Sequence, residues 1–246
     1  MTPERYIGAV RAVLDHLEKS QLPAIERAAD LVIAALSGGG AVYCAGIGHG
    51  NEADFINRAG GLAAVQQFSF NFNVNSPTAE CLKDRPRAAP FEKDLEAVRL
   101  AVRGSSLRAG DAMLAGSVSG RTVHAVELAM ACRDIGVKVI GFTSLAYTKR
   151  VEPGHPSGRK LCDVADVVID NGAPYGDAAV DVPGYAEKML PVSGVSSIVA
   201  GWMLWGRVME KMAAAGNPPG TFISVNRKDG KDYYEKSKAR FNKRGY

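Results

Sequence analysis

The chain has little of what builds covalent or metal cross-links. Its 246 residues include four cysteines and four histidines. Cys44, Cys81, Cys132 and Cys162 lie far apart and form no CxxC pair, which argues against a zinc knuckle or a dithiol redox motif. Cys44 falls in an apolar run and Cys132 in a helical pattern, where a reduced cysteine packs as a small hydrophobe, so a reducing cytoplasm is the expected compartment. There is no GxGxxG and no GK[ST], which argues against a dinucleotide or nucleoside-triphosphate loop of the usual kind. No acidic cluster suggests a metal, and the expectation is a protein without metal or cofactor. A long hydrophobic run is also missing. One long uncharged stretch, residues 189–206, contains Pro191, three serines and three glycines, and reads as a helix with its entry loop, not as a membrane span. The opening MTPERYIGAV carries early charges and lacks the apolar core of a signal peptide. Charge of one sign is scarce too. The net charge of +4 is concentrated after residue 226, where eight Lys/Arg face three Asp/Glu. No nucleic-acid motif accompanies that basic tail, so it is expected to be a solvated helix and not a nucleic-acid contact.

What the chain does have is an ordinary globular balance, 46% hydrophobic and 23% charged, in a length that can bury a sizeable core. It is organised around residues 41–61, AVYCAGIGHGNEADFINRAGG. Residues 41–45 read as a buried strand, Gly46 and Gly48 as a turn, and helical spacing is predicted from about Asn51. A glycine turn feeding a helix start presents free N–H groups and the positive end of the helix dipole together, which is an anion site. Two helices, residues 3–19 and 23–36, precede this strand. They form an N-terminal pair (1–37) expected to pack on the core (38–226) or on a second subunit, with the basic tail 227–246 behind. Further strands are predicted at 64–68, 112–115, 137–142, 164–170 and 221–225, with helices over 91–103, 120–134 and 193–215. The segment 69–92 is a long polar loop, of a length usually reserved for function. Apolar strands alternate with crossovers long enough for parallel pairing, so the fold class is α/β, a doubly wound, mostly parallel sheet flanked by helices.

In such sheets ligands lie beyond the carboxyl ends of the strands. Here those ends read GIGHG, SVSGRT and TS. Ser117, Ser119 and Thr122 place short hydroxyls around a helix start, and Thr143 and Ser144 place more at the next strand end. Amides and small hydroxyls suit a phosphate monoester held without a metal, although any one serine or threonine in such a place is more often a helix cap.

These motifs, GIGHGNEADFINRAGG, SVSG and VKVIGFTS, resemble those of sugar-isomerase (SIS) domain proteins. HPSGRKLCDVADVVIDNGAPYGDAAV and the later FISVN resemble the phosphosugar-binding subfamily of single-SIS proteins. The resemblance covers nearly the whole chain. It implies a flavodoxin-like sheet, a sugar-phosphate ligand, and homodimers or tetramers with sites shared between subunits. Carried onto this sequence, it places substrate contacts at Gly46, Gly48, His49, Gly50, Asn51, Ser117, Ser119, Gly120, Arg121, Thr122, Thr143 and Ser144. Gly50 stands where many relatives have a serine, and Arg121 is larger than the residue usual there. The implied activity is aldose–ketose isomerisation through an enediol, which needs a base and a ring-opening acid. Glu92 is the best match for the base, with Glu96 second. His155 is favoured over His49 for the acid, and His16 and His124 read as structural or exposed. Expulsion of a β-substituent by the same groups, or ligand sensing without turnover, are the alternatives.

Overall fold

The computed structural model describes residues 1–49, 52–86 and 95–246. The chain opens with α1 (Thr2–His16) and α2 (Leu22–Ser37), joined through a π-helical turn at Leu17–Gln21 into one continuous rod. There follow β1 (Val42–Gly48), β2 (Val65–Phe68), α3 (Leu95–Gly104), β3 (Ala112–Gly116), α4 (Val123–Asp134) and β4 (Lys138–Thr143). Two one-turn helices, α5 (Leu145–Thr148) and α6 (Leu161–Val164), precede β5 (Val167–Asp170). A small antiparallel hairpin of β6 (Ala178–Val180) and β7 (Met189–Pro191) leads into the long α7 (Ser193–Ala214), and α8 (Gly230–Arg244) ends the chain.

β1 to β5 form a parallel sheet in the order β2-β1-β3-β4-β5. The central strands are apolar on both sides because both faces are covered. On one face α2 and α7 bring Ala28, Val32, Leu204 and Trp205 against Cys44, Leu114, Ile140 and Ile169. On the other, α3 and α4 bring Val98, Val102, Val126 and Leu128 against Met113, Ala115 and Val139. Strand order reverses between β1 and β3, so the carboxyl ends of those two strands flank the switch point where open α/β sheets take ligands.

The sequence reading needs three corrections. No α-helix follows the first glycine turn among the described residues. Glu52–Asp54 is a single 3-10 turn, and Asn57 (φ 55°) and Gly60 (φ 83°) lie in the left-handed region, which breaks any helix. Phe55 decides this. Its buried ring meets Trp202 and Trp205 edge-on, both at 6.0 Å between centroids, over Gly201 of α7. A Cβ at Gly201 would lie 2.1 Å from the Phe55 Cζ, so the segment is tucked under α7 by a contact that only glycine permits. Second, residues 221–225 do not make a sixth strand. Thr221 forms an isolated antiparallel bridge with Leu62, and Gly60 donates to the Phe222 carbonyl at 2.7 Å. Third, the 178–191 hairpin has strands too short to read from the sequence.

Candidate functional site

β1 and β3 converge on two glycines at their carboxyl ends. Gly48 (φ 77°) pairs with Gly116 after a register shift, and a Cβ at Gly48 would sit 2.3 Å from the Gly116 carbonyl oxygen. His49 donates its amide to that same oxygen at 3.0 Å. Glycine is therefore needed here for close approach of two backbones, and Gly46 and His49 are left exposed at the rim. Gly50 and Asn51 lie outside the described residues, as does Glu92.

The turn after β3 is built from its own hydroxyls. The Ser117 hydroxyl is fully buried. It donates to Thr122 Oγ1 at 2.8 Å and accepts the Thr122 amide at 3.2 Å. Gly120 (φ 71°) closes the turn by donating to the Ser117 carbonyl at 2.9 Å. Thr122 is the N-cap residue of α4, yet its side chain makes no capping hydrogen bond, and its oxygen accepts the Ser117 hydroxyl instead. The first-turn amides of α4, which have no partner within the helix, thus lack the cap that a threonine usually supplies. Ser119 is half-buried beside them and Arg121 is exposed.

The hydroxyls after β4 serve a different purpose from the one expected. Thr143 and Ser144 are fully buried. Thr143 Oγ1 donates to the Val118 carbonyl at 3.3 Å, and Ser144 Oγ donates to the Ala173 carbonyl at 2.5 Å while accepting the Tyr147 amide at 3.0 Å. Thr143 and Ser144, like Ser117, brace the rim from beneath and do not line it. The exposed groups are Gly46, His49 and Arg121, with Ser119 and Thr122 half-buried at the helix start. The loops behind them are rich in cations, with Lys149, Arg150, Arg159 and Lys160 following β4.

His155 is not at the rim. Its side chain is buried one turn behind the start of α4, where Nε2 meets Glu127 Oε2 at 2.6 Å. Nδ1 lies 2.7 Å from Ser157 Oγ and accepts the Ser157 amide at 3.1 Å. That acceptor role places the ring proton on Nε2, facing the carboxylate. Both nitrogens are occupied, so the expected ring-opening role does not fit this side chain. Glu127 is fully buried and also holds the Arg99 guanidinium of α3. Sequence reasoning missed Arg99 and Glu127. The available signal was that Glu127 is the sole charge in VHAVELAMAC, an otherwise apolar helical run. His124 is exposed, as expected, and His16 pairs with Asp170 at 3.3 Å against the end of β5. Among the described residues no group of three His, Cys, Asp or Glu is placed to hold a metal ion, and no helix is long and apolar enough to cross a membrane.

The family model of the SIS domain matches residues 5–144. A UPF0309 protein of Halalkalibacterium halodurans is 32% identical over 235 residues, 93% of each chain. Another, from Caldanaerobacter subterraneus subsp. tengcongensis, is 31% identical over 97% of each chain. Among solved structures, a phosphoheptose isomerase from Neisseria gonorrhoeae aligns with a TM-score of 0.50 at 16% identity, covering 82% of this chain and 94% of that one, a likeness of fold. The chain belongs to the SIS-domain family and, within it, to the UPF0309 group.

Proposed function

We propose that the protein binds a sugar phosphate at the carboxyl ends of β1 and β3 and isomerises it between aldose and ketose. The observation that carries the binding half is the uncapped start of α4. Thr122 occupies the cap position but makes no capping hydrogen bond, its oxygen instead accepting the Ser117 hydroxyl, which leaves first-turn amides for an outside anion. Ser119 and Arg121 stand beside those amides, and a doubly charged ester is the ligand that best uses amides, a hydroxyl and a guanidinium together.

Isomerisation requires a base to remove a proton from the carbon next to the carbonyl and return it to the neighbouring carbon through an enediol. Glu92 is assigned that role from the family resemblance. His49, exposed at the rim, replaces His155 as the group that protonates the ring oxygen on opening. The active form is proposed to be a homodimer or tetramer in the cytoplasm.

The test is a thermal-shift panel of sugar phosphates alongside the same sugars without phosphate, followed by proton NMR in D2O. Stabilisation by phosphorylated sugars only, with deuterium entering at the carbon next to the carbonyl, is expected. Glu92→Gln should keep the stabilisation and lose the exchange. Stabilisation by none of the phosphates overturns the reading. Stabilisation without carbon exchange reduces it to a phosphosugar-binding module.

A further inference from the structure

The Arg99–Glu127–His155 group behind α4 serves no step in the proposed reaction, yet it joins three elements. Arg99 comes from α3, Glu127 from α4, and His155 from the loop before α6. A carboxylate with no solvent exposure is retained only where its partners are fixed, so the group holds His155, and with it the loop, in one place. That loop meets the turn after β3 directly at two points and, through Thr148 of α5, at a third. The Gly154 backbone packs so closely on it that a Cβ there would lie 2.7 Å from the Arg121 carbonyl oxygen. Leu161 donates its amide to the Gly120 carbonyl at 2.8 Å. Lys160 Nζ donates to the Thr148 carbonyl at 2.7 Å, and the Thr148 hydroxyl donates in turn to the Ser119 carbonyl at 3.1 Å. At Gly120, in the left-handed region, the Thr148 side chain packs so closely that a Cβ there would lie 2.7 Å from Thr148 Oγ1.

We infer that Glu127 and His155 are positioning residues for the anion site: the Arg99–Glu127–His155 group clamps the 153–161 loop, and the loop holds residues 117–122 in the shape that keeps the start of α4 open. This rests on the reading of that turn as the phosphate site. It assigns the buried histidine a part in ligand affinity although it touches no ligand.

The experiment uses His155→Gln, which leaves the Arg99–Glu127 pair intact, and Glu127→Gln, which does not. Val167→Ala, in β5 and remote from the turn, is the control of comparable loss in Tm. The readouts are amide hydrogen exchange at residues 117–122 and the Kd for inorganic phosphate by calorimetry. Both test variants should speed exchange at 117–122 at least tenfold and weaken phosphate binding at least fivefold, while Val167→Ala leaves both unchanged. A fall in Tm with exchange and Kd no different from the control overturns the inference. Should Glu127→Gln or His155→Gln fail to fold, Ser157→Ala, at an exposed position, gives the same comparison with a smaller expected increase in exchange. If the wild type binds neither phosphate nor any sugar phosphate, the phosphate reading fails, and the exchange measurement alone decides whether the clamp sets the turn.

Discussion

Two glycine-rich turns leave the switch point of this sheet, and they end differently. The one after β1 runs into a 3-10 turn and left-handed residues under α7. The one after β3 runs into a regular helix of twelve residues. Both look like anion loops in the sequence, since each joins an apolar strand, spaced glycines and a helical pattern. The difference shows that glycines alone do not make such a site. They let two backbones meet at Gly48 and Gly116, but the aligned amides come only from the helix that follows, and only if its cap is withheld.

The comparison can be broken most forcefully at Phe55. If the first turn is shaped by docking onto α7 and not by a ligand, Phe55→Ala should cost about 3–5 kcal/mol, the usual range for deleting a buried aromatic ring. Chemical denaturation should show this with ligand response retained at the second turn. A loss below about 1 kcal/mol would mean that the segment is shaped by something other than Phe55. Gly48→Ala comes next. Left-handed strain of about 1–2 kcal/mol combines with a clash against the Gly116 carbonyl oxygen, a backbone atom that cannot swing aside. A total of about 2–4 kcal/mol is expected by the same method. A neutral result would show that the two strand ends are free to part.

Much of the frame was legible. β1, β3 and β4 were readable because each is an apolar run bounded by glycine or charge, and these properties are local. α7 was readable from its apolar spacing and its stop at Gly216 and Pro218. The segment after Gly48 was misread because Ala53 and Ile56 have the same spacing in a helix and in a tucked turn. What separates them is the absence of a side chain at Gly201, far along the chain. The site shows the same limit. The sequence pointed to hydroxyl-bearing strand ends, but not to which hydroxyls face outward, since Ser117 is committed by Thr122 and Ser144 by the Ala173 carbonyl. His155 looked accessible in a polar loop because its partner, Glu127, belongs to a different element.

At the second turn the expected effects are smaller and separate stability from binding. Ser117→Ala removes a buried hydroxyl with two hydrogen bonds and should cost about 1–2 kcal/mol. It also releases the Thr122 hydroxyl to cap α4, which then competes with the ligand for the first-turn amides. Sugar-phosphate affinity should therefore fall several-fold, and Ser117→Ala/Thr122→Val, which leaves no hydroxyl to cap, should recover it in part. Equal affinity in wild type and Ser117→Ala would remove the withheld cap from the explanation.

The smallest effect lies at the α2–α7 contact and marks what a half-exposed ion pair contributes. Glu26 of α2 meets Arg207 and Lys211 of α7, each at 2.5 Å. Those hydrogen bonds, from Arg207 first and then Lys211, lower its carboxyl from 4.5 to about 2. A carboxylate held low in the folded state contributes its stability above its ordinary value and loses it as pH falls through the folded one. The α2–α7 contact should accordingly weaken between pH 4.5 and about 2, and Glu26→Gln should flatten that part of the Tm-against-pH curve. The carboxylate is 40% exposed, so salt should screen most of the effect, and half-molar NaCl should bring the two curves together. Because α7 also carries Gly201, over which Phe55 closes the first turn, a ligand response at the second turn that stayed constant through this acid loosening would show that the two turns are independent.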